Sequence, residues 1–273
     1  MSLSNYLEDM ILNWFKGTNF ATAPTNLFFS LHSADPADTG ANEVTATYTA
    51  GRDSYTASGF TAPATVGTNR QIKNTALIDW GNSTSAGSAS WIGIWDASTS
   101  GNFLFGFQLF NGSGVATPIT FGSGDPVTIA INGAAINLSI SSFSIYLVDM
   151  ILNWFKGTTA ASAPSTIYAG LFTSLVASGT GVEVTNDIRV AGRVAITAWG
   201  SLTTEGSKRV VKNTTAVDFG NSANTVLGVY ILGLWSASTA GNLYVFLTVT
   251  PRDVLAGEPY PIPANGGITL KAS

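Results

Sequence analysis

From Tyr6 to Phe15 the apolar residues Leu7, Met10, Ile11, Trp14 and Phe15 recur at three- and four-residue intervals, which predicts a short amphipathic α-helix. Ser4 or Asn5 can cap its start, Glu8 lies three residues beyond Asn5, and Gly17 supplies the stop. The same pattern returns 140 residues on: "YLEDMILNWFKGT" becomes "YLVDMILNWFKGT", differing only where Glu8 gives way to Val148. Ser144 and Gly157 take the capping positions of this second helix. On a wheel of about 100° per residue the apolar side chains cover roughly two thirds of the circumference, so each helix is expected to be covered on more than one side. Packing on its own β-sheet is the default destination. Yet the polar strip Asp9, Asn13 and Lys16 is also repeated, as Asp149, Asn153 and Lys156, which points to a shared contact. Val148 is expected to bury a flank that Glu8 exposes, with the second helix lying against the first copy or a neighbouring subunit.

After each helix the pattern shortens to runs rich in Val, Ile, Phe, Tyr and Thr, broken by Gly, Asn, Ser and Pro at strand-and-turn spacing. "WIGIWDASTSGNFLFGF" reads as a hairpin, and "YILGLWSASTAGNLYVF" is its counterpart. "KNTALIDWGNS" returns as "KNTTAVDFGNS", Glu43 as Glu183, and Asn132-Gly133 as Asn265-Gly266. The chain is therefore a tandem duplication. The expected fold is mainly β: two tandem β-sandwich or barrel-like domains, residues 1–140 and 141–273, each opened by one short helix. The connecting "SISSFS" has none of the Pro, Gly or charge of a flexible linker, so a fixed relative orientation is expected.

Charged residues make up 10% of the 273 residues, against about 25% in an ordinary soluble chain. Ser, Thr, Asn and Gly must cover the surface, and with 45% hydrophobic residues some apolar surface is expected to meet partners. A net charge of -4 without a basic block argues against nucleic acid. The absence of cysteine excludes disulfides and thiolate metal sites. "MSLSNYLED" lacks the features of a signal peptide and reads as a mature N-terminus, and "VLGVYILGLW" is too short for a membrane helix, so no membrane insertion is expected.

Candidate chemistry is sparse. His32 is the single histidine and Phe172 stands in its place in the second copy, which suits a strand position better than a catalytic base. The repeated carboxylates Asp79/Asp218 and Asp125/Glu258 sit in turn contexts, where a short acid fixes local backbone. No phosphate-binding, dinucleotide, zinc or calcium motif occurs, so no catalytic, cofactor or metal residue is assigned. The Asn-x-Ser/Thr matches at Asn82, Asn111, Asn137 and Asn213 are what this composition yields by chance. Trp14 and Trp95 recur as Trp154 and Trp235, and Trp80 as Phe219, as core residues would. Trp91 and Trp199 find no aromatic counterpart of that kind and are candidates for a copy-specific surface, an intersubunit contact or a glycan platform.

The order of motifs, an opening helix, "APTNLFFSLHSADPADTGANEV", "AGRDSY", "KNTALIDW", "IGIWDASTSGN" and "GDPVTIA…NGAAINLSI", resembles tailed-bacteriophage virion proteins usually labelled tail fibre proteins. The second copy carries "AGRVAI" at Arg193 but lacks the loop that Asp35-Pro36 provides in the first. The resemblance implies a non-enzymatic structural protein of the virion, in the tail, tail fibre or an appendage, that assembles with itself and with other virion proteins. Three tandem chains would fill six quasi-equivalent places around a sixfold tail if each copy shows the same contact patch. A capsid decoration protein, a module binding host-surface glycan and an enzyme such as a depolymerase, which would need an acid pair in a groove, are the alternatives.

Overall fold

The computed structural model describes residues 2–44, 51–110 and 115–272. The two helices form where the periodicity places them, at Asn5–Phe15 and Ile145–Phe155. Ser4 and Ser144 are the N-caps, each accepting the N–H three residues on, from Leu7 and Leu147, at 3.1 Å. Each helix is left through a glycine in the left-handed region, Gly17 at φ +91° and Gly157 at φ +81°.

The rest is antiparallel sheet. In the first half the main sheet has the order Ser2–Leu3, Phe103–Gln108, Trp91–Trp95, Asn26–His32, Asp53–Thr56. A smaller sheet joins Ala135–Ser139, Asn69–Lys73 and Ala64–Val66. The second half repeats both: Gly181–Glu183, Ile167–Leu175, Val226–Trp235 and Leu243–Val254 in one, with Val194–Ile196 also paired to Ile167–Leu175, and Thr203–Glu205, Lys208–Lys212 and Thr269–Ala272 in the other. The fold is mainly β with facing sheets, and among the described residues the sheets do not close into a barrel.

The helices do not stay with their own sheets. Asn5–Phe15 packs on Phe103–Gln108 of its own half and on Lys208–Lys212 and Thr269–Ala272 of the other. Ile145–Phe155 packs on Leu243–Val254 of its own half and on Asn69–Lys73 and Ala135–Ser139 of the first. One apolar core consequently runs through both halves, with Leu7, Ile11, Trp14, Leu147, Ile151 and Trp154 all inside it. Two covered faces per helix is what the wide apolar stripe requires.

The loop that distinguishes the halves has a steric reason. Pro36 lies over Gly106, where a Cβ would approach the proline ring to 2.6 Å. The matching strand of the second half carries Phe246, whose side chain leaves no such room, and the Asp-Pro loop is missing there.

Candidate functional site

The surface between the halves is built from matched pairs. Arg209 donates through Nε and Nη2 to the two carboxylate oxygens of Asp9, at 2.5 and 3.0 Å. Arg70 does the same to Asp149, at 2.6 Å on both oxygens. Each guanidinium is steadied by the threonine directly opposite it on the neighbouring strand, Thr204 and Thr65. Trp14 donates its indole N–H to the carbonyl of Ala161 at 2.9 Å, and Trp154 donates to Ala21 at 2.8 Å. Phe20 fills the space between the two indoles, its ring 6.5 Å from Trp14 and 6.2 Å from Trp154.

These contacts are reciprocal: residue 9 meets 209 and residue 149 meets 70; residue 14 meets 161 and residue 154 meets 21. An operation that carries the first half onto the second and also the second onto the first is a half-turn, so the halves meet as an isologous pair. The repeated acids of the polar strip are thus bound by the opposite half. Asn13 and Asn153 serve their helix ends, their carbonyls accepting from Lys16 and Thr18 and from Lys156 and Thr158. Lys16 is exposed and Lys156 half-buried.

One expectation is overturned at this surface. Glu8 is not on an exposed flank; it is 3% exposed, against 0% for Val148. Its Oε2 accepts the backbone N–H of Arg209 at 3.1 Å, and the opposite half covers both flanks alike. Burial pushes the Glu8 carboxyl from its ordinary 4.5 up to about 7; Asp38 and Asp9 add to the rise and Arg209 opposes it. A raised carboxyl pKa means that the folded chain holds the proton more tightly than the unfolded chain. The stabilisation is present below pH 4.5 and is lost as the pH rises through about 7. Glu8→Gln keeps an acceptor without the charge. It is expected to gain about 2 kcal/mol on the wild type between pH 5 and pH 8, measured by urea unfolding at both values; parallel pH profiles would refute this.

A second repeated cluster locks each hairpin. Arg52 forms a two-pronged pair with Glu43 at 2.9 Å, and Arg193 pairs with Glu183 at 2.8 and 2.7 Å. The same guanidinium groups donate to carbonyls of the hairpin turns, Ala97 and Ser100 in one half, Ala237 and Ala240 in the other. They lie 3.5 and 3.9 Å over the rings of Trp95 and Trp235. With every direction of the arginine used, this is a structural clasp rather than a binding site.

His32 is fully buried in a hydrogen-bonded chain: Trp95 donates to Ser30 Oγ at 2.8 Å, Ser30 meets His32 Nε2 at 2.7 Å, and Nδ1 meets the Ala41 carbonyl at 2.6 Å. The carbonyl requires a proton on Nδ1, so Nε2 accepts from Ser30 and the ring is neutral. Burial lowers its pKa, which fits. In the second half Gly170 and Phe172 stand at the Ser30 and His32 positions, Phe172 stacks on Trp235, and the Trp235 indole N–H has no partner. The remaining repeated acids fix turns: Asp79 and Asp218 accept from Gly81 and Gly220, Asp125 from Gly122 and Glu258 from Leu255.

Trp91 is half-buried within the main sheet, opposite His32 and Gln108. Trp199 does have an aromatic counterpart, which corrects the sequence reading. It bridges Asn213 as Phe60 bridges Asn74, and the flanking hydrogen bonds coincide. Phe60 is buried, whereas Trp199 is half-buried and shares with Lys16, Phe15 and Pro164 a cleft of about 190 Å³. Lys16 and Trp199 are therefore brought together, and Trp91 lies apart from that cleft.

Among the described residues no group of three or more His, Asp or Glu side chains is placed to hold a metal, and no helix is long and apolar enough to cross a membrane. Asn111 lies outside the described residues. A family model described as "Podophage GP4 fiber I protein gp80" matches residues 2–137 and, separately, residues 142–270. No curated protein matches the chain.

Proposed function

We propose that this chain, which belongs to the podophage GP4 fiber I protein gp80 family through both of its halves, is a non-enzymatic structural protein of a phage tail fibre. The chain is a virion component, and its family associates it with the other proteins of the particle. The double family match, over residues 2–137 and again over residues 142–270, is the observation that carries this reading. The side chains around it agree: among the described residues the repeated acids and arginines are spent on turns, hairpins and the surface between the halves. Antibody labelling of purified particles in electron micrographs should place the chain on tail appendages. Label on the capsid would favour a decoration protein instead.

The half-turn bears on how such chains assemble. Neighbours in a planar sixfold ring are related by a sixth of a turn, so the two halves of one chain do not fill adjacent places in such a ring. Three chains about a threefold axis, with the internal half-turn across that axis, would instead set six halves in two layers. Native mass measurement at high concentration tests this: a trimer is expected, and a monomer alone would refute it.

The cleft shared by Trp199 and Lys16 favours a second reading, a contact with host-surface glycan, since a half-exposed indole beside a cation offers a stacking face and a donor. Trp199→Ala would then abolish binding to host polysaccharide while leaving the thermal transition in place. Unchanged binding would remove this reading.

A further inference from the structure

We propose that the surface joining the two halves is a self-pairing surface, and that a second copy of this chain can take the place of either half, so that chains join by exchanging halves. The inference rests on what each half contains by itself. Reciprocal contacts within the chain pair Asp9 with Arg209 and Asp149 with Arg70. Both members of that pair are present in each half: Asp9 with Arg70 in the first, Asp149 with Arg209 in the second. The indole contact behaves the same way, since Trp14 and Ala21 lie in one half and Trp154 and Ala161 in the other. So do the close approaches after the helices, Gly17 to the Pro164 carbonyl and Gly157 to the Pro24 carbonyl. A surface that carries both the donor and the acceptor of each of these contacts is complementary at those positions to any other copy of itself.

The connection does not fix which copy is taken. Residues 139–144 are held to their neighbours by bonds that include Ile140 N–H to Thr68, Phe246 N–H to Ser142, Ser144 N–H to Tyr244 and Ser144 Oγ to Leu243, with Phe143 bridging Val245, and each of these stays within one half. Straightened, those six residues reach about 20 Å, which separates the halves of one chain and leaves each open to a half from another. Short hinges of this kind are where exchange between identical chains occurs.

The exchange has a preferred sense. A pair of first halves would bury two Glu8 carboxyls, whereas a first half with a second half buries one, beside Val148. First-with-second pairing between chains is therefore preferred at neutral pH, and it permits both closed dimers and open rows.

The test uses the full chain. Isotopically light and heavy protein are mixed, unfolded in guanidinium and refolded together at low micromolar and at near-millimolar concentration, then weighed by native mass spectrometry. Particles of two or more times the chain's mass are expected to increase with concentration and to contain light–heavy hybrids in binomial proportion. Monomer alone at both concentrations would overturn the proposal. If the chain does not refold, a protease site inserted between Ser141 and Ser142 of the native protein supplies the second measurement. The cut halves are expected to stay together and to swap between light and heavy pairs on incubation; separation into two folded single halves, or pairs that never swap, would overturn it.

Discussion

Trp14→Ala is expected to lower the stability of the whole chain by roughly 3–5 kcal/mol, the usual range for deleting a fully buried indole. Trp14 is 0% exposed, packs edge-on to Tyr244 of the opposite half at 4.9 Å, and gives its N–H to Ala161 there. Its loss leaves a cavity and also an unpaired carbonyl in the other half. Because one core serves both halves, urea should unfold wild type and variant in a single transition, with the variant midpoint lower and the slope kept. Two separated transitions, or a loss below about 1 kcal/mol, would show that the halves stand independently.

The second large effect is expected at Ser30. Its hydroxyl accepts from Trp95 and donates to His32, and all three side chains are buried. Ser30→Ala orphans two groups at once, each worth about 1–3 kcal/mol, so a total of roughly 2–6 kcal/mol is expected. The second half has already made the compound change, with Gly170 and Phe172 in these positions and an aromatic stack in place of the hydrogen bonds. The double variant Ser30→Gly with His32→Phe should therefore cost less than its two single changes added together. A thermodynamic cycle from urea unfolding measures that coupling, and strict additivity would argue that Ser30 and His32 do not act as a unit.

Local features were legible in the sequence because their physics is local. The helix boundaries follow from periodicity, the serine caps and the glycine stops. The hairpin Trp91–Trp95 with Phe103–Gln108 follows from its apolar runs around a polar turn. The destination of the helices was only half legible. A stripe too wide for one sheet announces a second covered face, yet nothing in the order of residues says that Arg209 answers Asp9 across 200 positions. Glu8 was misplaced because a carboxylate reads as exposed until the burying surface is known. Trp199 was misplaced for a different reason. The halves keep no constant spacing: Arg52 matches Arg193, 141 apart, while Phe60 matches Trp199, 139 apart, so a fixed shift sets Trp199 beside Gly59 and hides its true partner. The three-member chain through His32 joins residues of two strands and was visible only as a missing repeat.

The crossed seating of the helices also determines how the molecule bears a load. When tension is applied across the two halves, the six-residue connection cannot act as a fuse. Separation requires each helix to be withdrawn from beneath the sheets of its opposite number, breaking both arginine clamps and both indole bonds in the same event. Such a joint yields abruptly or not at all, and an appendage built from it would transmit a tug from its tip to its base with little stretch.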